Sequence, residues 1–202
     1  MTAARRRFNA VLHTLADRDY LLAKIAYEAA PTITGIKPAS LVTFCRHERN
    51  ICDLWGKHQS EADTVWGCRH CELKKTASYT LVLFYNRGLL GPLITAADNQ
   101  EFLKDLGYEA GITLEQLLPA LATKLASEAF PHELGLLLGI PRDDVAAFIA
   151  NRGADCLFCG YWKVYNNPAR ARSLFRQYDA AKRLVMDGIC QRNGPVVAGS
   201  AS

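Results

Sequence analysis

The stretch from Ser78 to Tyr85, Ser-Tyr-Thr-Leu-Val-Leu-Phe-Tyr, sets the strongest limit on what this chain can become. Tyr79, Leu81, Leu83 and Tyr85 alternate with Thr80, Val82 and Phe84, so a strand here is apolar on both faces. A strand of that kind belongs in the middle of a sheet, with other elements packed over it. The flanking segments read mainly as helices, which predicts an α+β fold: a small mixed sheet covered by helices. No second-domain boundary or internal repeat is visible. The expected organisation is a single domain over residues 1–193, with a cysteine-rich insert at 45–72 and a disordered Gly/Ser/Ala tail at 194–202.

Helical spacing runs through residues 3–29, with Phe8, Val11, Leu12 and Leu15 as one stripe and Asp17-Arg18-Asp19 as an interruption. Pro31 and Gly35 are expected to stop that helix, and a loop then enters a strand that includes Phe44. Residues 46–72 are polar and predict a short helix and a loop. Asp98 with Glu101, and Thr113 with Gln116, have capping-box spacing. Pro131 suits the first position of a helix over His132 to Leu138. A helix from Asp143 to Ala150 follows, and Pro168 opens a long amphipathic helix with Leu174, Tyr178, Ala181 and Val185 inward.

Composition limits the function classes. Hydrophobic residues make up 50% and charged residues 22%, which suits a globule with a real core. A net charge of +4 tolerates an anionic ligand but is low for a dedicated nucleic-acid binder, so nucleic acid is not an expected partner. Membrane insertion is not expected either, and the lack of an apolar segment after the N-terminal arginines predicts a cytoplasmic location. The seven cysteines then read as reduced thiols rather than a disulfide framework.

Two pairs have C-x-x-C spacing, Cys68/Cys71 and Cys156/Cys159. The second continues as Gly160-Tyr161-Trp162-Lys163-Val164-Tyr165, a tight knuckle running into a strand. Tyr161, Lys163 and Tyr165 would occupy one face of that strand, with Trp162 and Val164 on the other. Cys156 and Cys159 can chelate only if the chain turns between them, and Gly160 is expected to supply left-handed dihedrals for the turn. The spacing is similar to the iron-binding knuckle of rubredoxin-type proteins. The four paired cysteines would ligate zinc or iron, including an iron–sulfur centre, with Cys45, Cys52 or Cys190 as substitutes. Against this stands the ordinary role of free cysteine as a small buried hydrophobe.

Three stretches resemble one known family: Ala30-Pro31-Thr32…Gly35-Ile36-Lys37-Pro38-Ala39…Leu41, Phe130-Pro131-His132-Glu133-Leu134-Gly135…Leu138-Gly139, and Gly160 to Tyr165, with Leu103 to Tyr108 also fitting. The family is an uncharacterised bacterial one, common in anaerobes and often encoded near iron-uptake or flavodoxin genes. That resemblance implies a link to iron or redox metabolism and a redox partner protein, and no particular reaction.

An enzyme acting on a small anionic substrate is the alternative. Lys37, beside Thr32, Thr34, Gly35 and Ser40, would hold the anion together with Tyr161 and Tyr165. Lys163, costly to bury without a partner, would snorkel to solvent, pair with Glu133 or meet the anion, and the enzyme reading takes one of the last two. His132 and Glu133, placed in the first turn of their expected helix, would handle protons. On this reading Lys37, His132, Glu133 and Lys163 share one pocket. A nucleic-acid-binding module is a further alternative, through Arg170, Arg172, Arg176, Lys182 and Arg183 on the last helix, although a solvated face is the commoner explanation.

Overall fold

The computed structural model describes residues 3–46, 49–127 and 130–192. The expected tail at 194–202 lies outside the described residues. The fold is α+β. Strands β1 (Ala39–Cys45), β2 (Arg69–Lys75) and β3 (Tyr79–Tyr85) form a sheet in the order β1-β3-β2, with β3 in the centre. Both pairings are antiparallel, so this sheet is not mixed. A second, two-stranded sheet is the antiparallel pair β4 (Phe158–Cys159) and β5 (Lys163–Val164).

Register explains how β3 organises the chain. Leu41 of β1 lies opposite Leu83, which lies opposite Cys71 of β2, on the leucine-rich face; Val42 lies opposite Val82 on the other face. The first face carries helices α5 (Arg87–Thr95), α6 (Ala97–Asp105), α7 (Leu114–Ser127) and α8 (Leu134–Leu137), packed around Leu83, Leu90, Leu103, Leu117 and Leu121. The second carries α1 (Ala3–Thr14), α2 (Asp17–Glu28) and α4 (Ile51–Trp66), around Phe8, Ile25, Phe44, Trp55 and Phe84. A third, smaller cluster of Trp162, Val164, Ala171 and Tyr178 ties the β4–β5 hairpin to α10 (Pro168–Arg192). Helices α3 (Ala30–Ile33) and α9 (Arg142–Ala150) complete the fold.

Several local expectations change for identifiable reasons. Pro31 starts the short helix α3 rather than ending a long one, because proline's fixed φ suits a first helical turn. The cysteine-rich insert at 45–72 packs into the domain. Its helix α4 buries Trp55 completely, stacked on Phe44 at 5.1 Å, and closes at Gly67 with φ 64°. A helix this polar on its outer face showed too little periodicity to be read. Asp98 does not cap α6, whose N-cap is Ala96. Gln116 does reach back, accepting from the Thr113 amide at 2.9 Å.

Candidate functional site

The three sequence motifs meet at the hairpin. Pro38 of the first lies against Gly139 of the second, where φ is 74° and a β-carbon would come within 2.7 Å of the proline ring. Ile36 and Ile140 both pack on the hairpin cluster. His132 and Gly135 of the second motif and Tyr161, Trp162 and Lys163 of the third line one pocket of ≈ 390 Å³, floored by Val145 and Phe148.

Asp144 holds this assembly together. It is 1% exposed, sits in the first turn of α9, and accepts hydrogen bonds from Trp162 Nε1 (2.7 Å), the Tyr165 amide (3.1 Å), and the Asn166 amide (2.7 Å) and side chain (3.2 Å). A buried carboxylate is tolerated when charge-assisted hydrogen bonds replace water in this way. Sequence reasoning missed it. Asp143 and Asp144 look alike at a helix start, yet Asp143 points to solvent in an ion pair with Arg142.

The knuckle forms, but not by the expected device. Left-handed backbone falls at Gly153 (φ 74°) and Asp155 (φ 55°), upstream of the thiols, and Gly160 is absent from that region of dihedral space. Gly160 is needed for space: a β-carbon there would overlap the Phe175 ring. The chain reverses with Leu157 N–H donating to Val164 O (2.8 Å) and Gly160 N–H to Trp162 O (3.0 Å). Trp162 and Val164 face inward and Tyr161 and Lys163 outward, as the alternation predicts. Cys156 and Cys159 emerge side by side, their sulfurs 3.6 Å apart and Cys159 exposed. The hydrogen bond shared with Cys159, some burial and the neighbouring charge of Cys159 hold the Cys156 thiol above its ordinary value, while Lys163 pulls it down.

The other pair lies elsewhere. Cys68 is 3% exposed, and burial followed by the charge of Asp63 pushes its thiol up to about 11. Cys71 stands on β2 against the leucine-rich core, where burial raises it too. Among the described residues no group of three or more His, Cys, Asp or Glu side chains is arranged around a metal-sized space. Cys45 ends β1, Cys52 donates to Phe44 O at 3.0 Å, and Cys190 is buried in α10.

The four polar residues expected to share a pocket do not. His132 and Lys163 do share one; Glu133 and Lys37 do not line it. Helix α8 begins only at Leu134, and the amides of Leu134, Gly135 and Leu136 are spent on Pro131, His132 and Glu133 carbonyls, so no helix N-terminus is left open to an anion. Glu133 is 4% exposed on the opposite side, accepting from Tyr108 OH (2.6 Å) and Lys124 Nζ (2.9 Å). Lys163 is exposed rather than buried and donates to Gly153 O at 2.6 Å. Tyr161 donates to Asp179 at 2.8 Å, and the Tyr165 hydroxyl is buried without a hydrogen-bond partner among the described residues.

Lys37 lies over the Tyr178 ring at 5.6 Å, and among the described residues no carboxylate pairs with it. Burial first, and then the charge of Lys182, lowers its ammonium to about 8. Because the folded value is below the unfolded 10.5, the charged lysine costs stability in full below pH 8 and the cost fades by pH 10.5. After allowance for its partial exposure, Lys37→Met is expected to raise stability at pH 7 by about 1–2 kcal/mol. Chemical denaturation at pH 7 and pH 10 checks this, the gain being smaller at pH 10.

A family model described as a protein of unknown function, DUF3793, matches residues 25–196. The chain belongs to this family. Every DUF3793 residue discussed at the hairpin, the pocket and the Lys37 turn falls within that span. Comparison with curated proteins and with solved structures found no match. No described helix is long and apolar enough to cross a membrane.

Proposed function

We propose that this DUF3793 protein binds a thiophilic metal, zinc or iron, through Cys156 and Cys159, in a role connected with iron or redox metabolism. One observation carries the reading, the 3.6 Å between the two sulfurs. Two thiolate bonds of about 2.3 Å at a tetrahedral angle hold their sulfurs about 3.8 Å apart, so the pair needs almost no rearrangement to chelate. A thioredoxin-like redox pair would draw its reactivity from a helix N-terminus, and here the pair sits on a hairpin. Cys68 is buried and Cys71 packs against the leucine-rich core, so the reading rests on Cys156 and Cys159 alone.

Protein purified without oxygen is expected to carry metal, and to give thiolate-to-metal charge-transfer absorption when reconstituted with Co²⁺. Cys159→Ser should abolish both, and Cys68→Ser should leave both in place. Metal-free protein that takes up no Co²⁺ overturns the reading.

The enzyme reading keeps one supporting observation: His132 and Lys163 both line the ≈ 390 Å³ pocket, whose rim includes Phe130 at 54% exposure. A concave apolar site with a few polar groups at its edge suits a small ligand.

A further inference from the structure

We propose that the Cys156–Cys159 knuckle is half of a tetrahedral site completed by the same knuckle of a second copy of this chain, so that one Zn²⁺ or Fe²⁺ joins two chains. The inference rests on the reading above and adds its partner. Coordination number is the first argument. A closed site of this kind takes four protein ligands, and the chain offers two here with no third His, Cys, Asp or Glu gathered beside them among the described residues.

The surface around the thiols is the second argument. Leu157, between the two cysteines, is 61% exposed, and Cys159 beside it is exposed as well. Covering this leucine would add apolar burial to the metal–sulfur bonds. If a two-fold axis passes through the metal, each copy presents a bidentate pair and Leu157 is covered by its counterpart. Such isologous pairing needs only one surface patch, complementary to itself. A partner of another sequence would need a matching dithiolate of its own, whereas a second copy already has one.

Charge is the third. Four thiolates around a divalent ion carry a net charge of −2. Each copy brings Lys163, paired across the hairpin with Cys159, and Arg172, whose guanidinium lies 4.2 Å over the Phe158 ring between the two cysteines, against the carboxylate of Asp155 next to Cys156. Binding forms four metal–sulfur bonds and breaks four S–H bonds. The four protons go to solvent, no electrons move, and uptake is therefore favoured by rising pH.

The test uses the full chain, reduced and stripped of metal, titrated with Zn²⁺ and in parallel with Co²⁺, its mass followed by light scattering. The expected result is a mass that doubles with an end point at one metal per two chains and returns to the monomer on chelation. Cys159→Ser should remain monomeric at every metal level. Leu157→Asp, which leaves all thiols in place, should keep the Co²⁺–thiolate absorption but shift dimerisation to at least tenfold higher protein concentration. One metal per chain with unchanged mass overturns the shared site and leaves the metal-binding reading standing. A dimer already present without metal, its mass unmoved by loading, overturns the shared site too. No uptake by any thiol overturns both.

Discussion

Asp144→Ala is expected to destabilise the protein by about 3–5 kcal/mol, the largest effect of any single polar substitution considered. The estimate follows from what is left behind. Trp162 Nε1 and the Tyr165 and Asn166 amides donate to this carboxylate, and the alanine methyl offers them no acceptor. Asp144 is 1% exposed, so water has little access to repair the loss without opening the joint between α9 and β5. Asp144→Asn tells the charge from the shape. The amide keeps one oxygen but turns an NH₂ towards a donor, and about half the loss is expected. Urea denaturation of both variants measures this. If the reading of Cys156 and Cys159 is right, both should also bind Co²⁺ more weakly, because Asp144 anchors the strand that pairs with Cys159. Equal stability of Asp144→Ala and the wild type would remove Asp144 from its structural role.

The second large effect lies at Glu133 and is dependent on pH. Burial alone would raise this carboxyl; hydrogen bonds from Tyr108, its own backbone amide and Lys124 outweigh burial and hold it below the ordinary glutamate value of 4.5. A folded value below the unfolded one gives stability that is fully present above pH 4.5 and is lost as the pH falls through the depressed folded value. Glu133→Gln should therefore weaken the protein at pH 7 by about 2–4 kcal/mol and flatten its acid-denaturation limb. Thermal unfolding between pH 3 and pH 7 tests this. A variant whose pH dependence matches the wild type would show that the carboxylate contributes no such linkage.

What the sequence revealed depended on whether its signals were local. The central place of β3 follows from residues that are apolar at consecutive positions, and both cores confirm it. The alternation of Trp162 and Val164 against Tyr161 and Lys163 was legible because a strand has only two faces. The polar network at Asp144 was not, since its donors lie 18 to 22 residues further on and nothing in a single aspartate encodes them. Glu133 was placed with Lys163, although its partners Tyr108 and Lys124 come from another layer of the fold. Of the three environments open to Lys163, an acid or an anion suited its aromatic neighbours, but a strand at the surface lets its long stem carry the ammonium out to the Gly153 carbonyl. The length of α4 was hidden for a different reason: its core contacts are spread over five positions, Ile51, Leu54, Trp55, Ala62 and Trp66, between polar residues.

The hairpin's separate little core has a consequence for how the molecule opens. Trp162, Val164, Ala171 and Tyr178 form a cluster distinct from the two layers that sandwich the sheet. Cooperative units follow such divisions, and a unit with few apolar contacts opens at a lower free energy than the whole. Peeling β4 and β5 from α9 is therefore expected to separate the already accessible Cys156 and Cys159 without melting either large core. If Cys156 and Cys159 hold a metal as proposed, its release is expected to follow the loosening of this hairpin rather than the melting of the two larger cores.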